Sequence, residues 1–200
     1  MEKRFNTPNA ITVARIAITP FVAWLILQDG LIERWSAFWI FAAAATSDVV
    51  DGRLARGNEE VTRFGQLLDP IADKLLVLVT FLPLYGLGHL PLWFVLLVLG
   101  RDFAMTAFRR YALSRGELIP ARSLGKWKTV IQNWLVGSIL VVRINESTTD
   151  RGVGGAAWEG WEAYAGTVVD VTFWFVVALT VLSLLDYLHA YRALWTGRTA

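Results

Sequence analysis

The chain of 200 residues has no cysteine and only two histidines. Without thiols, disulfides and thiolate metal sites are excluded, so any metal must be held by carboxylates or by the histidines, and oxygen donors favour hard cations such as magnesium. An excess of charge of one sign is also missing. Nineteen Lys and Arg against seventeen Asp and Glu leave a formal net charge of +2, too little to hold a polyanion, and nucleic acid is set aside as a partner. The composition is also short of polar residues for a soluble chain: apolar residues make up 55% and the mean hydropathy is +0.46, against roughly 45–50% apolar in soluble domains. A soluble domain of this size still exposes about a third of its unfolded surface, so the excess is read as surface for lipid to cover. No internal repeat is evident, and no small-residue cleavage site follows the first apolar stretch, which is read as a retained helix behind Lys3 and Arg4.

Six apolar segments can be drawn, at residues 11–27, 35–50, 67–87, 92–112, 130–142 and 168–188. A spanning helix needs about 20 residues, so several must extend into their polar flanks. The fold class expected is all-α and integral to the membrane, with six transmembrane helices in a single domain over residues 1–200. Trp35, Trp93, Trp127 and Trp195 lie near proposed ends, where an indole suits the headgroup layer. With the N-terminus in the cytoplasm, thirteen of the nineteen Lys and Arg fall on cytoplasmic segments and three, Arg34, Arg143 and Arg151, on the other side. That bias sets the orientation and puts both termini inside. Residues 145–167, glycine-rich and carrying Trp158, Trp161 and Tyr164, are expected to form an outer loop resting on the membrane. The Asn145-Glu146-Ser147 sequon is given no weight, because three-residue patterns are common by chance.

The chemistry-bearing residues cluster between the second and third segments. Asp48 and Asp51 are three apart, and Asp69 and Asp73 four apart, so each pair projects from one face of a helix. Two such helix ends meeting at the cytoplasmic interface would gather four carboxylates, whose repulsion divalent cations would relieve. The ordinary alternative is that these acids are solvated or paired with Arg53, Arg56 and Arg63. Against it stands the full pattern D-x2-D-G-x2-A-R-x8-G-x3-D-x3-D, filled by Asp48, Asp51, Gly52, Ala55, Arg56, Gly65, Asp69 and Asp73.

That string resembles the signature of the CDP-alcohol phosphatidyltransferases, and every position of it is matched. The resemblance implies a six-helix membrane fold, a homodimer, and a metal-filled polar cavity open to the cytoplasm. It implies two divalent ions, Mg2+ or Mn2+, with Asp48, Asp51, Asp69 and Asp73 as ligands and Asp73 also the catalytic proton acceptor. Arg56 and Thr62 match positions that contact the CDP moiety. Small residues at Gly52 and Ala55 would let a nucleotide approach the helix closely, although membrane helices also use small residues simply to pack.

Two further strings bear on the acceptor. The opening NTPNAITVAR resembles the N-x-P-N-x-L-T-x-x-R segment of bacterial family members that use sn-glycerol 3-phosphate, with isoleucine in place of leucine. Thr7, Pro8 and Asn9 would then join the CDP-diacylglycerol contacts, and the same residues also suit the start of a helix. GKWKTVIQ resembles the G-K-x-K-T-x-x-Q segment of those members, and Arg101-Asp102 stands where they have Arg-Glu. Arg109, Lys126 and Lys128 are the candidate receivers of the acceptor's phosphate, with positive-inside placement as the competing explanation. Arg101 is expected to support the cavity, and Asp102, about 100° round the helix, to face elsewhere.

The function expected is phosphatidyl transfer from CDP-diacylglycerol to sn-glycerol 3-phosphate, at the cytoplasmic side of a bacterial inner membrane. Its rivals are the same chemistry on inositol phosphate or serine, and a divalent-cation transporter using the four aspartates as a transit site. Transporters commonly bind near the midplane, whereas these aspartates lie near the interface.

Overall fold

The computed structural model describes residues 7–57, 63–115, 123–150 and 156–190, with side chains placed mainly over 13–46, 74–115, 127–148 and 164–189. Among the described residues there are six α-helices and no strand: α1 (Thr7–Ile26), α2 (Leu31–Gly57), α3 (Arg63–Gly86), α4 (Leu92–Ser114), α5 (Ser123–Asp150) and α6 (Ala156–Ala190). Each holds one of the six apolar segments, and most run on into the polar flanks.

The helix ends have local causes. Gly88 takes φ +80°, a left-handed conformation that glycine adopts without a Cβ penalty. There the amide of His89 donates to the carbonyl of Leu84 and that of Gly88 to Tyr85, each at 2.9 Å, closing the last turn of α3. Pro91, in extended backbone, then precedes α4, where its missing N–H costs nothing. Pro20 inside α1 removes one helix bond, a defect that packing around it must hold.

The helices pack as α1 on α2 and α3, α5 on α2 and α6, and α4 on α3 and α6. One apolar core draws on all six, including Ile26, Phe41, Phe81, Phe94, Leu135 and Val176. Stacked and tilted rings tie α3, α4 and α6 together through Phe81 and Phe94 (5.5 Å between centroids) and Phe94 and Phe173 (4.6 Å).

The outside carries many large apolar side chains. On α6, Val171, Trp174, Phe175, Leu182 and Leu185 are all more than half exposed, and surfaces of this kind mark contact with lipid or protein. Among the described residues one stretch, Tyr164–His189 with mean hydropathy 2.3, is long and apolar enough by itself to cross a membrane. Ile16–Ile26 and Lys74–Gly86 are shorter apolar helices. The others carry charges inside their length, such as Arg101 and Asp102 in α4.

The structure corrects the outer loop expected at 145–167. Helix α5 continues to Asp150 and α6 begins at Ala156, so helix occupies most of that segment. Its glycines gather mainly at 152–155, while the flanking runs are rich in helix formers such as Ala156, Ala157 and Glu159. Asn145 is 2% exposed, so the sequon there does not present its side chain.

Candidate functional site

Short turns at residues 27–30 and 87–91 make successive helices alternate in direction. Side chains at one end of the bundle bear this out. Arg143, late in α5, donates to the carbonyls of Ile26 and Gln28, and Arg34, early in α2, donates to the carbonyl of Arg143. Asp29 lies 3.1 Å from Arg34 and 3.7 Å from Arg143, and Glu146 lies 3.9 Å from Arg34. The opposite end therefore collects the starts of α1, α3 and α5 and the ends of α2, α4 and α6.

The expected site residues among the described ones fall toward that second end. Thr7, Pro8 and Asn9 open α1; Asp48, Asp51, Gly52, Ala55 and Arg56 lie in the last turns of α2; Asp69 and Asp73 lie in the first half of α3. Arg109 is near the end of α4, and Lys126 and Lys128 near the start of α5. Thr62 lies outside the described residues, as do the side chains of all the others except Arg109 and Lys128. For those residues the backbone alone carries the geometry.

That geometry is specific. Positions 48, 51, 52 and 55 form an i, i+3, i+4, i+7 stripe, so the two small residues share a face with the two acids. Positions 65, 69 and 73 form a second stripe on α3. Asp51 is six residues before the end of α2 and Asp69 six residues after the start of α3. At 1.5 Å per residue, each stands about 9 Å in from the shared end. Helix α1, which packs on both α2 and α3, has its own start there.

On the α4 side the structure assembles a different cluster from the one expected. Asp102 Oδ1 accepts from Lys128 Nζ at 2.6 Å and from Arg101 Nη1 at 3.0 Å, and Arg101 Nε donates to Ser183 Oγ on α6 at 3.1 Å. Arg101 and Asp102 were expected to face apart, and that expectation fails. The 100° offset governs the direction in which a side chain leaves the helix, whereas a guanidinium on a long stem reaches back across it. The Lys128 side chain is 1% exposed. Arg109 is exposed, two turns along α4 on the same face as Asp102. Position 126 is two residues from 128, about 200° round α5, so the three cations expected to share one phosphate do not start from one helix face. Ser183 was not legible, because a lone serine in an apolar helix carries no signal. It is 4% exposed and also donates to the carbonyl of Thr180.

Beside this cluster α3 and α4 enclose an open groove of about 410 Å³, lined by Leu75, Leu78, Phe103, Thr106, Ala107, Lys74 and Arg110. Lys74, the residue after Asp73, holds its ammonium 4.8 Å from the Phe103 ring centre, a cation–π contact. No group of three or more His, Asp or Glu able to hold a metal occurs among the residues whose side chains are described, and the four motif aspartates are not among those. Their all-oxygen chemistry fits a hard divalent ion.

Residues 5–182 match the family described as CDP-alcohol phosphatidyltransferase. The chain is 33% identical over 195 residues to the CDP-diacylglycerol–glycerol-3-phosphate 3-phosphatidyltransferase of Bacillus subtilis, covering 92% of this chain and 93% of that protein. It is 30% identical over 188 residues to the protein of the same name from Rickettsia bellii, covering 92% and 94%. A probable phosphatidylglycerophosphate synthase of Mycobacterium tuberculosis is 37% identical over 135 residues, or 66% of this chain and 64% of that protein.

Proposed function

The chain belongs to the CDP-alcohol phosphatidyltransferase family, and from that premise we propose that it transfers the phosphatidyl group of CDP-diacylglycerol to sn-glycerol 3-phosphate, giving phosphatidylglycerophosphate and CMP. The observation that carries the reading is the depth-matched pair of acidic stripes on α2 and α3, within a chain that aligns nearly end to end with relatives named for that reaction.

In this reading Asp48, Asp51, Asp69 and Asp73 hold two divalent ions, Mg2+ or Mn2+. When bound, such ions neutralise the donor's pyrophosphate and polarise its phosphorus–oxygen bonds. The chain's own residues do the rest. Gly52 and Ala55, one without a side chain and one with a single methyl, keep the acidic face of α2 low for the nucleotide. Thr7, Pro8, Asn9, Arg56 and Thr62 frame the CDP head, Arg56 through the paired N–H groups of its guanidinium. Asp73 takes the proton of the acceptor's primary hydroxyl as that oxygen bonds to the lipid-side β-phosphorus. The bond from that phosphorus to the bridging oxygen breaks, and CMP leaves. Arg109, Lys126 and Lys128 supply positive charge for the acceptor's own phosphate.

The diacyl tails stay in the bilayer, and the α3–α4 groove, which begins one residue beyond Asp73, gives them a lateral way out. The molecule is read as one domain spanning the membrane six times, with the catalytic end in the cytoplasm of a bacterial inner membrane, and as a homodimer. A panel assay tests the reaction: the purified enzyme is given CDP-diacylglycerol with sn-glycerol 3-phosphate, inositol phosphate or serine, and CMP and lipid product are measured together. Stoichiometric CMP and phosphatidylglycerophosphate with sn-glycerol 3-phosphate alone support the proposal. Turnover only with another alcohol would reject the acceptor and leave the donor chemistry standing.

A further inference from the structure

The Arg-Asp pair of α4 and the G-K-x-K segment of α5 are separate strings in the sequence, and the structure joins them through one carboxylate oxygen. Asp102 Oδ1 holds Lys128 Nζ at 2.6 Å and Arg101 Nη1 at 3.0 Å. A Cβ built on Gly125 would lie 3.5 Å from Arg101 Nη2, so the start of α5 runs directly against the guanidinium. Ser183 fixes the other side of that guanidinium from α6. Three helices therefore meet on two cations and one anion. The Lys128, Arg101 and Asp102 side chains are 1%, 11% and 21% exposed, so the charges are largely withdrawn from water.

Among the described residues this cluster sets two positive charges against one negative. Two largely buried cations share one carboxylate, the only one among those residues that either of them touches, and a buried charge left uncompensated is costly. An arriving dianion would complete the balance. Arg109 stands two turns along the face of α4 that carries Asp102, toward the end of the bundle where the motif aspartates lie. We propose that Asp102 is a positioning residue for the acceptor. It holds Lys128 and Arg101 side by side so that their surplus positive charge, with Arg109 beyond it, forms the seat of the acceptor's phosphate. The inference rests on the reaction proposed above and deepens it, because it assigns Asp102 and Arg101 roles that the aspartate motif does not.

The test measures both substrates' constants in the purified full-length enzyme for Asp102→Asn and Asp102→Glu. Asparagine keeps the shape and loses the charge that orients the two cations. Its KM for sn-glycerol 3-phosphate is expected to rise about tenfold or more, the scale of one charge-assisted hydrogen bond, with the KM for CDP-diacylglycerol unchanged. Glutamate should recover most of the loss. A purely structural role would lower the thermal midpoint and the active fraction without separating the two KM values, and that result would overturn the proposal. If Asp102→Asn does not fold, Ser183→Ala carries the test by freeing one side of Arg101. A selective rise in acceptor KM supports the proposal, and unchanged constants reject it. A wild-type enzyme that turns over CDP-diacylglycerol with some other alcohol would instead mark a failure of the acceptor assignment itself.

Discussion

A carboxylate in an apolar helix needs positive charge beside it, and the chain meets this need in two ways. Asp102 finds Lys128 and Arg101 within the protein, and the motif aspartates are assigned theirs from bound ions. The difference was partly visible in the sequence. Four acids at spacings three and four, with Gly52 and Ala55 between them, point to a shared face before any coordinates are known. Asp102 looked like a charge turned away from its neighbour Arg101, because helical spacing gives the direction of departure of a side chain and says nothing of where a flexible stem ends. Long-range partners such as Ser183 leave no trace in local pattern. Gly52 offers the sharpest single-residue check. Gly52→Leu places a side chain on the strip assigned to the nucleotide, so donor affinity should fall by tenfold or more, on the order of the 1–3 kcal/mol typical of overpacking, while thermal stability changes little. Donor binding at the normal level would make Gly52 a packing residue.

At the scale of elements, the end of the bundle away from the aspartates is a clamp. Arg143, with a side chain 3% exposed, donates to carbonyls at the end of α1 that the helix itself cannot satisfy. Arg34 ties α2 to α5 in the same way. Arg143→Met should therefore cost about 1–3 kcal/mol, the scale of leaving buried acceptors unpaired, read as a lower denaturation midpoint with kcat unchanged in the molecules still folded. His89, in the α3–α4 turn, lies in the field of the same groups. Burial pushes its pKa below the ordinary 6.5, helped by Arg143 and Arg34 and opposed by Glu146. The fold thus favours neutral His89. Its stabilising contribution is full above about pH 6.5 and is lost as pH falls toward the folded-state pKa. The thermal midpoint should drop as pH falls below about 6.5, and His89→Gln should flatten that part of the profile. An equal drop in the variant would assign the effect to other groups. The sequence marked Arg34 and Arg143 only as charges on the outer side. Their pairing depends on the end of α1, the start of α2 and the late part of α5 coming together, which no single segment encodes. The loop expected at 145–167 failed for a related reason, since glycine content was averaged over a stretch whose glycines gather mainly between two helices.

Among the described residues apolar side chains face outward along α6 and elsewhere, the kind of surface that contacts lipid or protein, and the bilayer reading builds on it. Six helices were legible from hydropathy because each carries an apolar run. Their full lengths were not, because the polar ends of α2 and α5 continue as helix beyond the apolar part. The natural absence of cysteine makes the topology directly testable. A single cysteine at Ser114, exposed at the aspartate end, should react with an impermeant maleimide only after the membrane is opened. One at Asp29, whose side chain is 85% exposed at the other end, should react without that step. The reverse pattern would invert the orientation read from the basic residues.

The central claim is that the acidic stripes of α2 and α3 act on CDP-diacylglycerol through divalent ions. Metal-dependent CMP release from CDP-diacylglycerol and sn-glycerol 3-phosphate, measured side by side for the wild type, Asp48→Asn and Asp69→Asn, tests it most directly. Wild-type release should require Mg2+ or Mn2+ and stop with a chelator. Both variants should lose at least a thousandfold in rate, on the order of 4 kcal/mol of barrier, with helical content unchanged by circular dichroism. Wild-type-like release from either folded variant, or release that persists after complete removal of divalent ions, would contradict it.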